Sequence, residues 1–172
     1  MEFLYLRNEV FGMPKIIKNI SDLNKAFEPY LEKAMLLTRD EIFEVVSRKV
    51  MDYYNEPVFD NEDPSEPKYY KRTYALMENL TASHVNKSGN TLSFSVGWDD
   101  DYLQMRYENQ FHPQQLGATG LSILKSFNYS KHGWSVDGEH DYWDEALKEL
   151  GGESGIAKLF MINCKKVGLP IK

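Results

Sequence analysis

With 172 residues, 42% of them hydrophobic and 27% charged, the chain suits one globular domain with a real core and not a disordered polymer. Its net charge of -6 argues against a polyanion such as duplex DNA as the main partner, because such binding draws on neutralised phosphates. The single cysteine, Cys164, excludes an intramolecular disulfide, and no apolar run approaches the roughly 20 residues that span a bilayer.

The first residues, MEFLYLRNEVFGMPK, carry Glu2, Arg7 and Glu9 among apolar side chains and lack the basic start and clean apolar stretch of a signal peptide. Phe3, Leu4, Tyr5, Leu6, Val10 and Phe11 make residues 1–12 too apolar for an idle tail. They read either as an arm that docks on a neighbour or as an extension upstream of Met13. The expected division is an arm or extension over 1–20 and a single α+β domain over 21–172.

From Leu23 to Tyr53 apolar residues recur at helical spacing: Leu23, Ala26, Phe27, Tyr30, Leu31, Ala34, Met35, then Ile42, Val45, Val46, Val50 and Tyr53. Proline suits the first turn of a helix and clashes inside one. Pro29 therefore predicts a short helix near 21–27 and a long one from about Glu28 to Tyr54. Residues 55–68 hold three prolines and five acids, an extended connection. A further helix is expected over 69–80, with Tyr70, Thr73, Tyr74, Met77 and Leu80 on its inner face.

The period then changes to two. Leu92, Phe94, Val96 and Trp98 alternate with Thr91, Ser93, Ser95 and Gly97, and Gly89-Asn90 supplies a turn, so 82–98 reads as a β-hairpin ended by Asp99-Asp100-Asp101. Residues 101–111 fit either a strand or a helical turn. A short helix around Leu121–Phe127 is expected within a long excursion. A helix with Trp143, Ala146, Leu147 and Leu150 follows, stopped by Gly151-Gly152. The last helix is capped by Ser154 and buries Ile156, Leu159, Phe160, Cys164 and Val167. Lys165 and Lys166 suit its final turn, and Gly168 with Pro170 ends it. The fold class is α+β: a long N-terminal helix packed on a small antiparallel sheet, closed by two C-terminal helices.

Several groups of residues could carry chemistry. Ser122 and Lys125 form an SxxK pattern, in which a lysine one turn away can activate a serine, but no SDN or KTG accompanies it. His132 and His140 stand among Asp137, Glu139, Asp141 and Asp144, yet their spacing matches no zinc or EF-hand pattern. Acids before and in the first turn of a helix are the simpler reading. Asp99, Asp100 and Asp101 on extended backbone would point in alternating directions and cannot all meet one ion. GGESG at 151–155 follows a helix and so lacks the context of a dinucleotide loop. His84 and His112 have no sequence neighbour suited to a triad. These readings leave no catalytic, cofactor-binding or metal residue assigned.

The order of features resembles the tail-completion and minor structural proteins of tailed bacteriophages of Gram-positive hosts and their prophages. The resemblance lies in Pro67, Tyr70, Arg72, Leu76 and Leu80 after the long helix, and in Gly97, Asp99 and Tyr102 at the end of the hairpin. It covers 20–110 more closely than 111–172. It implies a virion component without enzymatic activity or cofactor, ring-forming at the head–tail junction or the top of the tail. Its partners would be copies of itself and neighbouring portal, connector or tail-tube proteins, with no membrane and no specific nucleic acid. The location implied is the host cytoplasm during assembly and then the virion. The candidate interface residues are Phe3, Tyr5, Phe11, Tyr69 and Arg72. Two other classes compete: a small phage-encoded inhibitor or binding module acting on a host protein, and a hydrolase using the 122–144 region.

Overall fold

The computed structural model describes residues 19–54, 74–104, 119 and 142–171. The architecture is α+β: a long N-terminal helix, a small antiparallel β region and C-terminal helices. Helix α1 runs from Ile20 to Tyr54 without a break, 35 residues or about 52 Å at 1.5 Å each. The two helices expected on either side of Glu28 are therefore one. Pro29 removes a single backbone donor and lies on the exposed side. The neighbouring Phe27, Tyr30 and Leu31 pack under the C-terminal residues, and these contacts hold the helix through the proline. Asn19 starts it, its Oδ1 accepting the Asp22 N–H at 2.9 Å.

The buried positions of α1 fall every four residues: Ala34, Thr38, Ile42, Val46, Val50 and Tyr54. This is one i±4 ridge, inclined to the helix axis, so the elements that cover it wrap around α1 as they go. The buried positions end on Tyr54; the side chain of Tyr53, the last apolar residue of the expected stripe, lies outside what the structure describes.

Next comes one turn of helix, α2 (Ala75–Glu78), followed by strands β1 (Leu80–Ala82), β2 (Asn86–Ser88), β3 (Thr91–Ser93) and β4 (Val96–Trp98). The helix expected over 69–80 is corrected in its described part. Tyr74 lies outside α2 and is exposed, Leu80 is in a strand, and Leu76 is the buried residue of the turn. The strands form one hairpin with a shift of register. Leu80 faces Trp98, Thr81 faces Gly97 and Ala82 faces Val96, whereas Asn86 faces Ser93, Lys87 faces Leu92 and Ser88 faces Thr91. His84 and Val85 therefore oppose Phe94 alone, the two-against-one count of a β-bulge. Ser83 seals its lower edge: its N–H donates to the Ser95 carbonyl and its Oγ accepts the Ser95 N–H, both at 2.9 Å. The bulge switches the inward positions of the first strand from even to odd numbers. Lys87 thereby turns to the side of Leu92 and pairs with Glu28 of α1. At the tip, Gly89 has φ +60 and Asn90 has no positive φ, the pattern of a II′ hairpin turn.

Helix α3 (Asp100–Gln104) follows directly, and Tyr102 is buried against the main cluster. Helices α4 (Tyr142–Glu149) and α5 (Gly152–Lys166) close the core. The corner between them requires a glycine at 155, because a Cβ there would stand 1.7 Å from the Leu150 carbonyl oxygen. GGESG is thus a tight helix–helix corner. Its N-cap is Gly151, not Ser154; the Ser154 hydroxyl lies in the first turn and donates to the Gly151 carbonyl at 3.3 Å. At the other end the Gly168 N–H bonds Lys165 O at 3.0 Å and the Leu169 N–H bonds Cys164 O at 2.9 Å. This is a Schellman motif, with Leu169 and Cys164 both buried beside Ala34.

Two apolar clusters result. The larger joins Ile42 through Tyr54 to Leu76, Leu80, Tyr102, Tyr142 and Ala146; the smaller joins Ala34, Cys164 and Leu169. Thr38 lies on the same ridge between them. Its Oγ1 donates to the Ala34 carbonyl at 2.8 Å and accepts Asn163 Nδ2 at 3.1 Å.

Pro29→Ala is expected to raise stability by about 1–3 kcal/mol in urea unfolding, since it restores a helical donor at an exposed site. Thr38→Val alone leaves the Asn163 amide unpartnered and is expected to cost about 1–3 kcal/mol. The double change Thr38→Val with Asn163→Leu should recover most of that loss. Equal destabilisation by the single and double variants would show that the loss does not come from the unpartnered amide.

Candidate functional site

Tyr54, Trp98, Tyr102, Tyr142 and Trp143 gather in the larger apolar cluster, on the C-terminal half of α1. Trp98, the last residue of β4, donates its indole N–H to the Leu76 carbonyl at 2.7 Å and so ties the hairpin base to α2. Its ring meets Tyr142 edge-on at 5.5 Å between centroids and Trp143 at 6.1 Å. Arg48 pairs with Glu149, and Lys49 lies 3.4 Å from Glu149 and 3.8 Å from Glu145, holding α4 alongside α1. These pairs are solvent-facing and contribute little energy, but they favour one relative placement of the two helices.

Above this core sits Tyr74. Its ring stacks on Tyr54 with centroids 4.6 Å apart and planes 26° off parallel. Tyr54 is 7% exposed and Tyr74 46% exposed, so the outer face of the pair meets solvent. Met51, one turn earlier on α1, is 39% exposed. Tyr74 is also the only non-glycine residue with positive φ among the described residues, at +58. A bulky side chain in that region is a backbone outlier. Its carbonyl accepts the Met77 and Glu78 N–H groups at 2.9 and 3.0 Å, so the strained residue starts α2.

Other exposed apolar residues are scattered or paired only in sequence: Ile20 at the opposite end of α1, Leu36, and Met161 with Ile162 on the outer side of α5. Single exposed apolar residues are ordinary. The Met51–Tyr54–Tyr74 group differs because it joins exposure, stacking and strain.

The chemical groups singled out in the sequence do not assemble into a reactive centre in the part described. Asp99 Oδ1 accepts the Asp101 N–H at 2.8 Å and the Asp99 carbonyl accepts the Leu103 N–H, so the acidic triplet is the start of α3. Among the described residues no group of three or more His, Cys, Asp or Glu side chains is placed to hold a metal ion. His84 is exposed in the bulge, and Asp144 lies in the first turn of α4. Ser122, Lys125, His112, His132, Asp137, Glu139, His140 and Asp141 lie outside the described residues, as do Phe3, Tyr5, Phe11, Pro67, Tyr69, Tyr70 and Arg72. Of the positions that carried the phage resemblance, Leu76, Leu80 and Tyr102 are core residues, Gly97 pairs with Thr81, and Asp99 is a cap. No helix among the described residues is long and apolar enough to cross a membrane.

Sequence pattern missed Tyr74, assigning it to a core face because its spacing from Tyr70 and Met77 is helical. It also missed Asn163, which is fully buried in the last helix. No local signal marks either residue. One depends on where a helix starts and the other on which neighbour it meets.

Cys164 is fully buried, and burial pushes its thiol above the usual 9.0. Thiolate chemistry is suppressed there. The folded pKa is the higher one. Below pH 9.0 neither state is favoured by this group; as pH rises past 9.0 the unfolded chain ionises first and stability declines until the folded pKa is reached. Alkylation by iodoacetamide at pH 8 is expected to be slow for the native chain and fast in urea. Equal rates would overturn the inert assignment.

No known protein family, curated protein or solved structure matches this chain in comparisons of sequence and fold.

Proposed function

We propose that the chain is a structural component of a tailed-phage or prophage virion. It acts without chemistry, as a tail-completion or head–tail connector protein that assembles into a ring. The class comes from the sequence resemblance. The observation that carries it is the polarity of the molecule. Met51 and Tyr74 are exposed at one end of an unbroken helix, and no comparable apolar group lies at its other end among the described residues. An apolar patch at one end suits a heterologous contact, in which it meets an unlike surface of the next copy. Repetition of such a contact closes a ring when the rotation allows it. In this reading the protein is made in the host cytoplasm, meets portal, connector or tail-tube proteins there, and ends in the virion.

Native mass spectrometry across a concentration series tests the proposal. The expected result is a closed oligomer of identical copies, formed alone or on addition of a portal or tail-tube protein. Arg72→Ala, at the position that carries the resemblance, is expected to weaken that assembly with little change in melting temperature. A monomer at every concentration that forms a one-to-one complex with a host enzyme would instead mark an inhibitor.

A further inference from the structure

We infer that the outer half of the hairpin, β2 with β3, is a hinged flap that turns at the β-bulge and is latched to α1 by the Lys87–Glu28 ion pair. This motion is independent of the assembly proposed above. The two halves of the hairpin are held differently. In the inner half, Leu80, Val96 and Trp98 belong to the larger apolar cluster, and the Trp98 indole is bonded to the Leu76 carbonyl. Arg39 of α1 fixes the edge of that half, its Nη1 donating to the Ser83 carbonyl at 3.0 Å. In the outer half no residue of β2 or β3 belongs to either cluster, and each is exposed except the half-buried Leu92. Between the halves, His84, Val85 and Phe94 belong to neither ladder. A bulge interrupts pairing and bends its strand, and a few such residues suffice as a hinge.

The hairpin runs back along α1 toward the start of the helix. Ser83 meets Arg39, and Lys87 meets Glu28. From Ser83 to Lys87 the strand advances about 13 Å at roughly 3.3 Å per residue. From Arg39 back to Glu28 the helix covers about 16 Å at 1.5 Å per residue, so the two lie side by side. Glu28, Glu32, Met35 and Arg39 share one face of α1 by helical spacing, and all four are half-buried. The flap closes over this stripe, and its far end carries the latch. An ion pair that faces solvent is weak and is screened by salt. Such a contact keeps the flap down at rest and releases it at small cost, while the inner half stays in the core.

Full-length chains carrying pairs of spin labels test this by double electron–electron resonance. The tip pair is Asn90→Cys with Lys25→Cys, and the base pair is Thr81→Cys with Glu44→Cys; all four sites are exposed, and the buried Cys164 stays unlabelled in the native chain. The tip pair is expected to show a short distance and a minor longer one. Lys87→Gln, or salt raised to about 1 M, where the screening length is about 3 Å, should raise the ratio of long to short roughly twofold to fivefold. Glu28→Lys combined with Lys87→Glu exchanges the signs of the pair and should restore the original ratio. The base pair should keep one distance throughout. A single tip distance that neither salt nor Lys87→Gln changes would overturn the flap. A base distance that broadens together with the tip would place the movement elsewhere than the bulge and overturn the hinge. Failure of the exchanged pair to restore the ratio would overturn the latch.

Discussion

Every packed element of the described chain takes its position from the four-residue ridge of α1. Ala34 lies under the C-terminal residues and α5, Ile42 to Val50 under α4, α5 and the hairpin, and Tyr54 under Tyr74. The strands alone form two-stranded ladders, which are marginal in water without a face to pack on. The helix is therefore the surface on which the sheet becomes stable. The β-bulge is what lets the hairpin lie along it. Without the extra residue at 84–85, Lys87 would face away from α1 and the Glu28 contact near the tip would be lost.

The ridge is interrupted once by a polar layer. Thr38 and Asn163 are both buried between the two apolar clusters. The Thr38 hydroxyl satisfies the Asn163 amide and its own helix carbonyl, while Asn163 Oδ1 accepts no hydrogen bond. An unpaired buried acceptor costs about 1–3 kcal/mol, which cancels much of what the one bond returns. The pair is thus poor as a source of stability. Its physical effect is selective: sliding α5 by one residue along α1 would strand the amide donor as well. The Glu41–Lys166 pair at 2.9 Å marks the same register from the solvent side.

The parts of the fold legible in the sequence are those set by period. The α1 stripe, the alternation of Leu92 to Trp98, and the glycine stops of α4 and α5 all follow from side-chain spacing or backbone freedom. What was not legible depends on partners distant in sequence. Pro29 read as a helix boundary because the local rule is sound; contacts of Phe27, Tyr30 and Leu31 with the C-terminal residues override it. The bulge was hidden because Ser83, His84 and Val85 alternate no worse than their neighbours. Phe3, Tyr5 and Phe11 stand out by composition and lie outside the described residues. Tyr74 reads as a core residue because nothing in YKRTYALM announces a positive φ.

The magnitude of that φ decides how Tyr74 should be understood. A left-handed conformation costs a non-glycine residue about 1–2 kcal/mol. The stack on Tyr54 contributes about 0.5–1.5 kcal/mol beyond area burial. The Met77 and Glu78 bonds to the Tyr74 carbonyl do not need this side chain, since any residue offers the same acceptor. Within the isolated chain the ring therefore roughly offsets its own strain and no more, while leaving nearly half of itself in water. A glycine would start α2 at lower conformational cost in the folded state, and a serine or aspartate with ordinary φ would cap it better. Strain and stack are thus close to balanced at Tyr74, and the exposed half of its ring contributes nothing further to the stability of the chain.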